Sequence, residues 1–171
     1  MSWAVWLTGP PAAGKTTIAK AIREGLAADG IEAVWLESDA LRRILTPDAT
    51  YSPDERDRFY AAVADLAALL VAQGFPVIVD ATAPRRAHRD RLRGKVPRFL
   101  EVLVDAPLEV REGRDSKGLY RRAREGKAPH LPGATEPHEA PLSPDLVLSG
   151  TVPAERNAAL LRQHLAERGF A

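Results

Sequence analysis

Gly9-Pro10-Pro11-Ala12-Ala13-Gly14-Lys15-Thr16, residues 9–16, is the stretch that decides the fold. It matches the phosphate-binding pattern G-x-x-x-x-G-K-[ST], and it stands between an apolar run and a helical pattern that ends at Ala28. In that context the glycines let backbone N–H groups surround phosphate oxygens, the lysine reaches the β- and γ-phosphates, and the threonine hydroxyl binds Mg²⁺. The sequence therefore predicts ATP binding with Mg²⁺. The predicted ATP-binding residues here are Gly9, Ala12, Ala13, Gly14, Lys15, Thr16 and Thr17.

Short apolar runs alternate with helical patterns along the rest of the chain. Strands are predicted at 2–7, 33–36, 77–79, 99–104 and 146–148, with helices at 16–28, 39–45, 53–72, 84–92, 107–113 and 154–168. This order predicts an α/β fold of the P-loop NTPase type. It is a three-layer sandwich whose parallel sheet has about five strands and helices on both faces. Ligands are expected at the carboxyl ends of the strands.

The 171 residues predict a single P-loop kinase domain over 1–171. Residues 114–127 are rich in Arg and Lys, and 129–144 are rich in Pro without an apolar period. The basic stretch is interpreted as part of a lid over about 114–131 that excludes water from the γ-phosphate. The alternative is an ordinary solvated loop.

Charge and cysteine content exclude several classes of function. With 24 Lys+Arg against 23 Asp+Glu, the net charge of +1 gives no reason to expect a nucleic-acid polymer as partner. The absence of cysteine excludes disulfides, thiolate metal sites and cysteine nucleophiles. The first residues lack the pattern of a signal peptide, so we expect a cytoplasmic enzyme without a membrane partner. The sequence leaves open whether the chain forms a homodimer.

Further segments have the order and spacing of a known family of kinases. Lys117-Gly118-Leu119-Tyr120 is the most specific of them. The others are Glu37-Ser38-Asp39, Tyr51-Ser52, Glu55-Arg56, Ala83-Pro84-Arg85-Arg86, Val104-Asp105-Ala106-Pro107-Leu108-Glu109-Val110 and Arg114-Asp115-Ser116. Together with the phosphate loop, they resemble the adenylylsulfate (APS) kinases, which phosphorylate the ribose 3′-hydroxyl of APS.

The resemblance implies transfer from MgATP to APS, giving ADP and PAPS, and it implies roles for individual residues. Asp39 and Lys15 would be catalytic, with Asp39 accepting the proton of the attacking hydroxyl, and Arg114 would lie against the ATP adenine. The resemblance also implies that Asp39 holds magnesium through water, beside Thr16 of the phosphate loop. Asp80 is a further candidate metal ligand that departs from the family, because an acid at this strand end resembles the magnesium-side carboxylate of other P-loop kinases. The implied acceptor-binding residues are Tyr51, Arg56, Ala83, Pro84, Arg86, Lys117 and Leu119.

Structural alternatives stay open for the charged residues. Asp39 follows the second strand, where a carboxylate would face the phosphate loop, or it caps the next helix, unless Ser38 does so. Asp80 is a second-shell magnesium ligand or the cap of a later helix. Arg56, Lys117 and Arg114 bind nucleotides or are ordinary surface cations.

The acceptor side departs from the family pattern. Where the family has an asparagine and an arginine, this chain has residues 59–62 (Phe59, Tyr60, Ala61, Ala62). Leu131 replaces a phenylalanine that stacks on the APS adenine in the family, and Arg85 replaces a tyrosine. These changes favour, as an alternative, a kinase for another nucleotide-linked or hydroxylated small molecule. A third hypothesis, from another class, is an ATP-sensing binding module without turnover.

Overall fold

A five-stranded parallel sheet forms the centre of the computed structural model, which describes residues 2–171. The strand order is β2-β3-β1-β4-β5. This architecture confirms the predicted α/β sandwich. The strands are β1 (Ala4–Thr8), β2 (Val34–Glu37), β3 (Val77–Asp80), β4 (Phe99–Asp105) and β5 (Leu146–Ser149).

Seven helices cover the sheet within residues 2–171. They are α1 (Lys15–Ala28), α2 (Ser38–Leu45), α3 (Pro53–Ala72), α4 (Arg86–Arg93), α5 (Leu108–Gly113), α6 (Leu119–Arg124) and α7 (Ala154–Glu167). No helix in this range is long and apolar enough to cross a membrane.

The central strand β1 has two apolar faces because its side chains alternate across the sheet. Val5 and Leu7 pack in one core with α1 and α7, whereas Ala4 and Trp6 pack in the other with α2, α3 and α4. All five residues of β1 are buried. The carboxyl end of β1 therefore lies in the middle of the molecule, and the phosphate loop begins there.

The predicted helix boundaries agree with the structure except around Pro84. At α3 the Ser52 side chain accepts a hydrogen bond from the Glu55 amide at 3.3 Å, as the N-cap prediction requires. Helix α4, in contrast, begins at Arg86, two residues later than predicted. The Pro84 carbonyl instead accepts a hydrogen bond from the Glu139 amide at 2.7 Å, so this turn is held by a distant segment.

Candidate active site

A cleft of about 990 Å³ opens at the carboxyl ends of the central strands, between the phosphate loop and the basic segment. The position is the one that the parallel sheet predicts. The structure brings most of the predicted site residues to this one cleft. Those that line it are Ala12, Gly14, Lys15, Thr16, Thr17, Asp39, Tyr51, Arg56, Asp80, Arg114, Lys117 and Leu119.

The phosphate loop is closely packed around its lysine. Lys15 Nζ donates hydrogen bonds to the carbonyls of Gly9 at 2.8 Å and Pro10 at 2.9 Å. Burial lowers the pKa of Lys15 to about 8, although Asp80 and Asp39 favour its charged form. A desolvated ammonium group at the base of a cleft is suited to binding an anion.

Gly9 and Ala13 shape the loop without lining the cleft. A Cβ on Gly9 would lie 2.1 Å from the Val104 carbonyl oxygen, so only glycine lets the loop approach β4 this closely. Ala13 is fully buried, and its amide donates to the Pro10 carbonyl at 3.3 Å. Both residues therefore contribute through backbone shape.

Asp80 lies at the end of β3 with a buried and incompletely satisfied carboxylate. Its Oδ2 has no hydrogen-bond partner in the described part of the chain. Burial raises the pKa of Asp80, against the opposing effects of the Lys15 ammonium and the Thr16 hydroxyl. Because the N-cap of α4 is Arg85, the capping alternative for Asp80 is wrong.

This donor set fits Mg²⁺. Magnesium prefers carboxylate and hydroxyl oxygens and is usually bound by one or two carboxylates together with water and phosphate oxygens. Asp80 supplies an unpartnered oxygen of this kind beside Thr16. Residues 2–171 contain no group of three or more His, Cys, Asp or Glu side chains able to hold a metal by themselves. The arrangement therefore suits an ion that arrives with a nucleotide.

Asp39 lies in the first turn of α2, and its carboxylate accepts a hydrogen bond from the Lys117 ammonium. The N-cap of this helix is Glu37, and no side-chain cap hydrogen bond is present. Neither Asp39 nor Ser38 therefore acts as the cap. The Asp39 side chain is half exposed, at 50%, so that it is open to a group entering the cleft.

The lid prediction corresponds to α6 and the loops that flank it. The Tyr120 hydroxyl donates to the Pro11 carbonyl at 2.7 Å and accepts from Arg111 Nη1 at 2.8 Å. Tyr120 is buried. These contacts join the basic segment to the phosphate loop on one side of the cleft.

Arg114 joins the basic segment to the loop after β5. Its Nη2 donates to the Gly150 carbonyl at 2.7 Å, and residues 150–154 line the same end of the cleft. Sequence reasoning missed this loop. A Cβ on Gly150 would lie 1.8 Å from the Ala13 carbonyl oxygen, so the loop touches the phosphate loop directly. A glycine two residues after the last predicted strand was the available signal.

The end of the cleft away from the phosphate loop has aromatic, aliphatic and polar walls. Arg56 donates to Glu136 Oε2 at 3.1 Å and to the His130 carbonyl at 2.8 Å. Tyr60 and Leu131 line the cleft beside them.

Arg42 also lines the cleft and was missed by sequence reasoning. Its guanidinium lies 3.9 Å from the centre of the buried Phe59 ring, and it pairs with Glu55 at 2.6 Å. Phe59 therefore supports Arg42 from behind and is not among the residues that line the cleft. The apolar positions of α3 carried no signal for this cation–π contact.

The structure places three predicted acceptor residues outside the wall of the cleft. The Ala83 carbonyl accepts from Arg89 Nη1 at 2.5 Å, the Pro84 carbonyl accepts from the Glu139 amide, and Arg86 Nε donates to the Ala140 carbonyl at 2.8 Å. Residues 139 and 140 therefore hold Pro84 and Arg86, whereas Arg89 holds Ala83. Thr82 lines the cleft in their place.

Comparisons with known proteins agree over almost the entire chain. The family model described as adenylylsulphate kinase matches residues 1–149. The adenylyl-sulfate kinase of Paraburkholderia xenovorans (strain LB400) is 42% identical over 167 residues, covering 96% of this chain and 93% of the relative. That of Microcystis aeruginosa (strain NIES-843 / IAM M-2473) is 38% identical, covering 97% and 92%.

A solved structure gives the same result in three dimensions. The Mycobacterium tuberculosis APS kinase CysC, in complex with AMPPNP and APS, superposes with a TM-score of 0.90 at 33% identity. The match covers 96% of this chain and 98% of that chain. Sequence and architecture therefore point to the same group of proteins.

Proposed function

The chain belongs to the adenylylsulphate kinase family, and from that premise we propose that it transfers the γ-phosphate of ATP to the 3′-hydroxyl of APS, giving ADP and PAPS. One observation carries the proposal: Lys15, Asp80 and Asp39 line a single cleft. Lys15 is a desolvated cation, Asp80 has a carboxylate oxygen without a hydrogen-bond partner, and Asp39 has a solvent-accessible carboxylate. Phosphoryl transfer needs a group of each kind, for the phosphates, the metal and the attacking hydroxyl.

The donor ATP enters at the phosphate loop. Backbone N–H groups between Ala12 and Thr17 and the positive end of α1 bind its phosphates, and the Lys15 ammonium exchanges its carbonyl partners for phosphate oxygens. Arg114 and the 150–154 loop form the wall that faces the adenine. Stacking of a guanidinium on a base suits this position.

Thr16 and Asp80 would hold Mg²⁺, with Asp39 reaching it through water. When bound, the ion would neutralise negative charge on the phosphates. Asp80 keeps its unpartnered oxygen near Lys15 and Thr16, which explains why a carboxylate is tolerated at a buried strand end.

Asp39 accepts the proton of the acceptor hydroxyl. Its carboxylate is open to the cleft, and its one hydrogen bond is to a lid residue, Lys117, that can move away. Closure of the segment around α6 excludes water from the γ-phosphate, which favours transfer to APS over hydrolysis. Lys117 and Leu119 then face the acceptor from the lid, and Tyr51 and Arg56 face it from α3 and the turn before it.

The test is an ADP-release assay with MgATP and APS, with the product identified as PAPS by mass spectrometry. A Lys15→Ala variant controls for contaminating kinases. Turnover that is lost in the variant supports the proposal. ATP binding without turnover of APS would contradict it.

A second candidate, a kinase for another hydroxylated small molecule, is favoured by the changed acceptor wall. Leu131 stands where the family has a stacking ring, and Arg56 is already engaged by Glu136. A panel of nucleoside and sugar acceptors in the same assay separates the two candidates. Faster turnover of a non-nucleotide acceptor than of APS would support the second.

A further inference from the structure

The Glu136 carboxylate joins two residues of the acceptor wall without lining the cleft itself. Its Oε2 accepts from Arg56 Nη1 at 3.1 Å, and its Oε1 contacts His130 Nδ1 at 2.5 Å. Arg56 Nη2 also donates to the His130 carbonyl at 2.8 Å, so each of the three residues contacts the other two. Arg56 and His130 both line the cleft. The carboxylate is therefore placed to orient two side chains at once.

The contact with Glu136 sets the proton position on His130. An ionised carboxylate only accepts hydrogen bonds, so Nδ1 must carry a proton. In the neutral form of the ring with this proton position, the lone pair lies on Nε2, and that atom is a hydrogen-bond acceptor. The His130 side chain is 42% exposed, and no described residue bonds to its Nε2. The ring therefore presents a free acceptor group to the cleft.

The position of this group indicates what it meets. Donor phosphates occupy the opposite end, at Lys15 and Thr16, so an acceptor substrate enters beside His130. The Arg56–Glu136 pair is neutral overall, so a sulfate or phosphate gains less from Arg56 than from Arg122, which also lines the cleft. Leu131, the neighbouring wall residue, offers packing but no hydrogen bond. Polar recognition of the base at this wall falls to His130.

We propose that His130, oriented by Glu136, is a specificity-determining residue that accepts a hydrogen bond from the exocyclic amino group of the acceptor's adenine. The proposal rests on the proposed function, because it takes APS as the acceptor. Glu136 is a positioning residue, since it acts through His130 and Arg56. Recognition by a hydrogen bond would compensate for the missing stacking ring.

The experiment compares APS with inosine 5′-phosphosulfate, in which a carbonyl oxygen replaces the amino group. Binding of each is measured by calorimetry with MgADP at the donor end, so that no transfer occurs, and turnover of APS is measured separately. The variants are His130→Phe, which keeps a flat ring without nitrogen, and Glu136→Gln. In Glu136→Gln, the amide oxygen can accept from Arg56 only when the NH₂ group faces His130. Nδ1 of His130 must then accept a hydrogen bond, so the proton of the neutral ring moves to Nε2. Glu167→Gln on α7 is the matched control.

We expect the wild-type protein to prefer APS by about tenfold, as one lost hydrogen bond and one unpaired acceptor predict. His130→Phe should bring the ratio close to one, and Glu136→Gln should abolish or reverse it, with ADP affinity unchanged in both variants. A ratio in His130→Phe equal to that of the wild type would overturn the proposal. This result would also be obtained if His130 bound a ribose hydroxyl, which the two ligands share. If the variants change the ratio but APS is not phosphorylated, the role of His130 and Glu136 stands and the proposed function fails. If APS is phosphorylated and the variants leave the ratio unchanged, the proposed function stands and the role of His130 and Glu136 fails.

Discussion

The ammonium of Lys117 is hydrogen-bonded to the carboxylate of Asp39 across the mouth of the cleft. Lys117 belongs to the segment that precedes α6, whereas Asp39 lies in the first turn of α2. Both side chains are at least half exposed. The pair therefore connects the basic segment before α6 to the group that would accept the proton, and an entering hydroxyl can replace the lysine as its partner.

Asp39→Asn should reduce turnover about 10²- to 10⁴-fold, the usual contribution of a general base. The amide keeps the shape of the side chain but cannot take a proton, so ATP affinity should change little. Steady-state ADP release and calorimetric ATP binding measure the two effects. Asp48→Asn, at an exposed position before α3, is the control and should behave as wild type. A loss confined to ATP affinity would rule out the assigned role.

Tyr120→Phe removes one hydroxyl that joins α6 to the Pro11 carbonyl. We expect the KM for ATP to rise roughly three- to tenfold, the equivalent of one net hydrogen bond, because the phosphate loop loses an anchor. The KM for the acceptor serves as the internal reference and should stay close to its wild-type value. Equal increases in both constants would mean that the hydroxyl supports the lid as a whole.

ATP affinity should fall as the pH rises above about 8, the value to which burial lowers the pKa of Lys15. The phosphates bind the protonated amine, so binding is fully supported below this pKa. Above it, binding must take up a proton, and affinity decreases by up to about tenfold per pH unit. Calorimetric titration of ATP across this range measures the effect. Constant affinity well above pH 8 would show that Lys15 stays charged.

Gly150→Ala should weaken ATP binding severely, because its Cβ would lie 1.8 Å from the Ala13 carbonyl oxygen. Backbone atoms cannot give way as a flexible side chain can, so the phosphate loop itself must shift. Gly113→Ala is the matched control, since its Cβ would meet nothing within 4 Å. Comparable ATP affinity in the two variants would refute the proposed contact between the loops.

Arg89→Met should destabilise the fold by about 3 kcal/mol, because it removes the fully buried one of the two arginines that pair with the buried Glu101 carboxylate. Arg89 also bonds to the Ala83 and Glu139 carbonyls, which hold the segment behind the cleft. Urea denaturation measures the change. Arg91→Met removes an exposed pair with Asp65 and should have little effect. Similar stabilities for the two variants would contradict this account of the core.

Local patterns were sufficient to predict the sheet, the phosphate loop and most helices. The strand–loop–helix order around Lys15 and the cap at Ser52 depend on neighbouring residues, which the sequence shows directly. The resemblance added Asp39 and Lys117, and the structure places them in contact.

The contacts that the sequence did not predict join distant segments. Pro84 and Ala83 were assigned to the acceptor, yet residues 139 and 89 bind their carbonyls. Glu136 and His130 carried no motif, because their relationship to Arg56 depends on how the loop after α6 folds back onto α3. No local periodicity encodes such pairings.

The most direct test of the account is the rate of PAPS formation from MgATP and APS, compared between the wild-type protein and Asp39→Asn at saturating ATP. We predict rapid formation of PAPS in the wild type and a loss of at least about a hundredfold in the variant, with ATP still bound. ATP bound by both proteins, with PAPS formed by neither, would contradict the claim that this cleft is an APS kinase active site.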